Sequence, residues 1–257
     1  MKRHAAILLA ATGALVACTS AGQQARNRET RTARATLERL DSIGDPGRVA
    51  AADFAFAKMA REEGQWTAFR TWATDDAVIH GRNGPIAAGP WLAGQSDPDQ
   101  SVAWTPNTVW SSCDGTLAVS FGRLRNPDGK VGSYVTTWEL QGDRNYKWTY
   151  DIGALDDPQP PAPPADADIP ADSIVVAGLS SIEGRVADCP QDGIPLPPPP
   201  LAAMAQGVDF GGASARDGSL SWTWTHAPDG TRAVSVLWYR EGSWQKAVDF
   251  AVPPSAE

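Results

Sequence analysis

The chain has 257 residues, 42% of them hydrophobic, and a formal charge of −8 with a pI near 4.9. The charge is uneven: residues 1–50 hold eight Lys/Arg against four Asp/Glu, which leaves −12 for the remainder. An acidic body excludes nucleic acid as the expected partner, and the sequence has no paired-cysteine motif, phosphate-binding Gly loop or serine-nucleophile elbow. Its three histidines, His4, His80 and His226, lack metal-ligand spacing, so neither a metal nor a cofactor is expected.

In chain order, "MKRHAAILLAATGALVAC" comes first, with basic Lys2 and Arg3, an apolar stretch from Ala5 to Ala17, and a cysteine. This is the pattern of a cleavable export signal, too short for a permanent membrane span. "LVAC" at 15–18 resembles the bacterial lipobox, so residues 1–18 are expected to be a lipoprotein signal peptide with Cys18 lipidated. That resemblance implies an exported protein anchored in the bacterial cell envelope. Thr19, not being Asp, implies the outer membrane, at its periplasmic face. Acyl chains anchor stably because each buried methylene contributes about 0.8 kcal/mol. Residues 19–45 form a basic tether, solvated or lying along anionic headgroups. After loss of Cys18 to lipid, Cys113 and Cys189 are the two remaining cysteines, and an oxidising compartment favours their bridging; two buried free thiols are the alternative.

Val49, Ala52, Phe56 and Met59 predict a helix from about Arg48 to Glu63, capped by Asp45 with Pro46 at its first position and stopped by Gly64. "QWTAFRTWA" predicts a shorter helix, and "DDAVIH" a strand. "GPIAAGPWLAGQ" allows at most a turn of helix around Ala88 to Ala93. Four strand-like runs follow from Ser101, separated by "CDG", "NPDGK" and "GDR", which are turn signals for antiparallel hairpins. Alternation places Tyr134, Thr136, Trp138 and Leu140 on one face of the third run. It places Tyr146, Trp148, Tyr150 and Ile152 on one face of the fourth, opposite Asp151. A Pro/Ala/Asp linker occupies 157–172. Beyond it, 173–257 reads as a β-rich extension ending in three strands, with Leu220, Trp222, Trp224 and His226 on one face. So small a sheet must pack on the preceding domain or on a partner. "DFGG" at 209–212 is read as carrying no signal.

The stretches "AFAKMAREEGQWTAFRTWATDDAVIHG" and "YVTTWELQGDRNYKWTYDIG" resemble the nuclear-transport-factor-2-like (SnoaL-type, cystatin-like) superfamily, closest to the domain-of-unknown-function-4440 proteins. The resemblance covers residues 46–156. It implies an α+β fold: a cone-shaped domain whose curved antiparallel sheet closes over the long helix, here followed by the β-rich extension. Members include ketosteroid isomerase and scytalone dehydratase beside many non-catalytic binding and assembly domains, and they pair readily through the sheet, so a homodimer is one expectation. On the isomerase pattern Gly81 stands where the base would be, and Ile152 replaces the histidine that often follows the aspartate at 151.

Two classes of function remain open. The leading expectation is non-catalytic binding of a small apolar ligand or an envelope protein. Its pocket candidates are Phe56, Trp72, His80, Trp104, Tyr134, Thr136, Trp138, Trp148 and Tyr150. The alternative is an acid–base enzyme, a hydro-lyase or isomerase, with His80 as base oriented by Asp53 or Asp151. The competing structural readings are a packed His80, a solvated Asp53, and tryptophans that fill the cone as core.

Overall fold

A computed structural model describes residues 43–161, 181–191, 194–200 and 206–254. The expected signal peptide, Cys18, the tether up to 42 and most of the proline-rich linker lie outside the described residues. Among the described residues no helix is long and apolar enough to cross a membrane.

The fold is α+β, with helices on one face of a mixed seven-stranded sheet. Helix α1 (Pro46–Glu63) is capped by Asp45, whose carboxylate accepts from the N–H groups of Gly47 and Arg48. Its buried stripe is Val49, Ala50, Asp53, Phe56, Ala57 and Ala60. Helix α2 (Gln65–Trp72) has no cap of its own; Asp97, thirty residues on, accepts from the N–H groups of Trp66 and Thr67 and from the Thr67 hydroxyl. Gly64 between the helices has φ 118°, and a Cβ there would strike the Asp97 carboxylate at 2.4 Å. Glycine is therefore needed for the corner that aims α2.

Strands β1 (Ala73–Gly81) and β2 (Gly84–Ala87) form a hairpin, and short helix α3 (Ala88–Ala93) follows. Strands β3 (Ala103–Ser111), β4 (Leu117–Arg125), β5 (Val131–Leu140) and β6 (Tyr146–Leu155) run antiparallel in sequence. The sheet exceeds the four-stranded meander that the turn signals suggested. β1 joins β6 in parallel, and β7 (Glu183–Val186), beyond the linker, pairs in parallel with β3. The strand order is β2-β1-β6-β5-β4-β3-β7.

A second sheet comprises β8 (Asp209–Ser214), β9 (Leu220–His226), β10 (Arg232–Arg240) and β11 (Ser243–Val252). It has four strands rather than three: "DFGGAS" is a strand. Gly211 is required there because the Trp224 ring crosses it, 2.7 Å from where a Cβ would sit. This sheet covers the main sheet's other face, and one apolar cluster joins Trp110, Val119, Val135, Tyr150 and Ile152 to Leu220, Trp222, Val234, Val236 and Trp238. Two Asp-Gly turns clasp one end. Asp114 N–H donates to the Asp217 carboxylate at 2.8 Å, and Asp217 N–H to that of Asp114 at 3.2 Å. Cys113 and Cys189 are disulfide-bonded, with Cα atoms 5.0 Å apart.

Two register shifts redistribute side chains between the faces. In the β3–β4 pairing, Pro106 and Thr108 take successive partners, so Asn107 is extra; in β5–β6, Trp138 faces Trp148 while Thr137 faces Tyr150, so Thr149 is extra. A bulge reverses the facing of everything beyond it. Tyr146 and Trp148 therefore join the helix-side core, whereas Tyr150 and Ile152 join the opposite core. The single face expected for all four is corrected, and Asp151 now shares the helix side with Thr136.

Candidate functional site

Between the helices and the main sheet lies a hollow of about 380 Å³. Its aromatic wall begins with Phe56 of α1, whose ring meets Phe69 and Trp104 edge-on, each at a centroid distance of 4.8 Å. Trp66 and Phe69 of α2 extend the wall, with centroids 5.4 Å apart. Leu124, Ala154 and Leu155 supply aliphatic surface, and Tyr134, Thr136 and Asp151 supply polar groups.

Asp53 is fully buried and not solvated, because it stands four residues after Val49 and three before Phe56, on the inward stripe of α1. Its carboxylate accepts from Trp104 Nε1 at 2.9 Å and from the Tyr134 hydroxyl at 3.0 Å. Burial pushes its pKa up to about 6 against the lowering effect of the hydrogen bonds with Ser120, Trp104 and Tyr134. Burial, with the Asp53 charge beside it, also keeps the Tyr134 phenol protonated well above its ordinary range. Asp151 accepts from Thr136 Oγ1 at 2.6 Å and borders the hollow. Burial raises it to about 7; the Thr136 bond opposes this and the Asp53 charge adds to it. The helix side thus holds two carboxyls that exchange protons near neutrality.

His80 is on the other side. The β1–β6 register pairs Ile79 with Asp151, so Ile79 shares the helix side with Asp151 while the next side chain, His80, points the opposite way. The imidazole is almost wholly buried, with Nδ1 2.8 Å from the Tyr150 hydroxyl and Nε2 3.1 Å from His226 Nδ1. Its ring also lies edge-on to Trp224 at 5.4 Å. Burial, then His226 and Arg232, lower its pKa to about 4. Either neutral tautomer satisfies both contacts. His80 borders the hollow, but both ring nitrogens are occupied behind it. The expected pairing of His80 with Asp53 or Asp151 is therefore corrected: strand alternation separates the imidazole from both carboxyls.

Of the pocket candidates, Phe56, His80, Trp104, Tyr134 and Thr136 line the hollow, His80 with its ring nitrogens occupied by Tyr150 and His226. Trp138 and Trp148 do not: they are core, their indole N–H groups donating to Ser120 Oγ and to the Phe69 carbonyl. Trp72 borders a separate open depression with Arg48 and Tyr146. Tyr150 is excluded by the Thr149 bulge. One lining residue had no signal in the sequence. Arg232, the first residue of β10, donates to the main-chain carbonyls of His80 at 2.6 Å and Gly153 at 3.2 Å. Among the described residues no group of three or more His, Cys, Asp or Glu is arranged to hold a metal ion.

No family model matches the chain, and no curated protein matches it. Among solved structures it is similar to a "putative aromatic ring hydroxylase" from Novosphingobium aromaticivorans, at 15% identity and a TM-score of 0.34, over 45% of this chain and 92% of that one. A likeness at that level bears on neither the fold nor the activity.

Proposed function

We propose that the protein is an envelope lipoprotein whose helix-covered sheet is a nuclear-transport-factor-2-like cone, and that the cone binds a small apolar molecule without turning it over. The observation that carries this reading is the hollow of about 380 Å³ with walls of Phe56, Trp66, Phe69 and Trp104. A space of that size and lining suits a flat ring compound, with Tyr134, Thr136 and Asp151 orienting it. Filling it is the test. Leu124→Trp should remove a non-covalent adduct seen by native mass spectrometry on the full chain after incubation with cell extract. An adduct of equal intensity in both proteins would contradict the reading. Lipidation is tested separately: Cys18→Ser should abolish acyl-chain labelling and release the protein from the membrane fraction.

A second reading is favoured by Asp151 itself. A carboxyl titrating near pH 7 at the wall of an apolar pocket is matched to proton transfer, and the Tyr134 phenol, kept protonated by burial, lines the same pocket. In that reading the protein is a hydro-lyase or isomerase whose base is Asp151, in place of His80. Asp151→Asn would then abolish turnover and leave ligand retention intact; unchanged turnover would remove it. We also infer a monomer, because the sheet face opposite the helices carries the chain's own β8–β11. A dimeric mass by light scattering would overturn that inference.

A further inference from the structure

Arg232 is the only described residue by which the second sheet enters the hollow. Its guanidinium is half-buried and spends two N–H groups on the carbonyls of His80 and Gly153, at the ends of neighbouring parallel strands. A guanidinium has five such donors. Every ion pair among the described residues lies elsewhere, so no described carboxylate neutralises it. Burial lowers its pKa, Tyr150 opposes this, and Arg82, at the turn between β1 and β2, adds a like charge. A cation taken partly out of water is costly unless it is paired. The two carbonyl bonds fix the planar group in place, so its remaining donors are preorganised at the edge of an apolar chamber.

We propose that Arg232 is an anion subsite, and that the pocket's ligand is an apolar ring compound bearing one carboxylate or sulfonate group. The inference rests on the pocket-binding reading. The rings of Phe56, Phe69 and Trp104 take the apolar body, and the acid group completes the hydrogen bonding of Arg232. Asp151 borders the same chamber, and Asp53, fully buried and outside its lining, accepts from the lining residues Trp104 and Tyr134. With Asp151 pushed up to about 7 and Asp53 to about 6, both are largely protonated below about pH 5, so an anionic ligand meets least opposition there.

Two fluorescent probes differing by a single sulfonate separate the possibilities: 8-anilinonaphthalene-1-sulfonate and N-phenyl-1-naphthylamine. In the full chain the sulfonate should bind at least about tenfold more tightly. Arg232→Gln should erase that preference with little change for the neutral probe, and Arg232→Lys should keep part of it. Leu124→Trp should weaken both. Equal affinities in the unaltered chain, or a preference that survives Arg232→Gln, would overturn the anion subsite and leave the pocket standing. Failure of both probes, or binding indifferent to Leu124→Trp, would overturn the pocket reading beneath it. Should Arg232→Gln not fold, the probe comparison in the unaltered chain and in Arg232→Lys still decides the matter.

Discussion

The two faces of the main sheet are built from alternate residues of the same strands, yet they do opposite things. On the helix side, rings stand around a chamber with the Asp151 carboxyl at its wall. On the other side the second sheet covers the main sheet, and the His80 imidazole is held by Tyr150 and His226. The helix side leaves space where a small molecule fits, and the far side uses similar aromatic residues to close space. Aromatic content alone does not distinguish a pocket from a core; what distinguishes them is whether another element fills the gap.

The largest expected effect bears on how the far side is fastened. The Cys113–Cys189 bond closes a loop with a sequence separation of 76, and constraining the unfolded chain to that extent contributes about 4 kcal/mol. Urea unfolding with and without reductant measures it, and a loss below about 1 kcal/mol would show that packing alone holds the second sheet. Next, Leu220 is fully buried between the sheets, so Leu220→Ala should cost about 3 kcal/mol. Leu124→Ala, at the rim of the hollow, should cost about 1 kcal/mol, because no closed cavity is created. Equal costs would erase the contrast between the faces.

A further set of effects, spread over several pH units, has a sign that differs between the faces. His80 titrates near 4 in the folded chain against 6.5 in its ordinary state, so the unfolded chain takes up the proton first. Its effect lowers stability as pH falls from about 6.5 to 4. Asp53 and Asp151 titrate near 6 and 7 against 3.8, so the folded chain takes up protons first. Their effect raises stability as pH falls from about 7 to 4. Each slope is at most about 1.4 kcal/mol per pH unit. Replacing His80 by Gln should therefore steepen the gain in stability on acidification, and replacing both aspartates by Asn should reverse it. Identical slopes in the two variants, read from urea midpoints across pH 4 to 7, would mean that these groups are not buried as described.

Much of the architecture was legible because it rests on local chemistry. Asp45-Pro46 and Gly64 bound the first helix, and the Asp-Gly turns mark the hairpins. What was not legible depends on pairing partners. No pattern within "NYKWTYDIG" signals that Thr149 is an extra residue; that follows from its fit against Thr137 and Trp138. Yet this one bulge turns Asp151 into the pocket and Tyr150 out of it. Asp53 was hidden differently: a charged residue amid alanines reads as solvated, although its spacing from Val49 and Phe56 matches the buried stripe. Arg232 meets the carbonyl of His80 across 152 positions, which no local pattern reports.

The central claim is that the chamber under the helices is an open binding site. A titration of the full chain with N-phenyl-1-naphthylamine, compared with Leu124→Trp, tests it most directly. Saturable binding to one site, weakened at least about tenfold by the added indole, is the expected result. No binding, or affinity unchanged by Leu124→Trp, would contradict it.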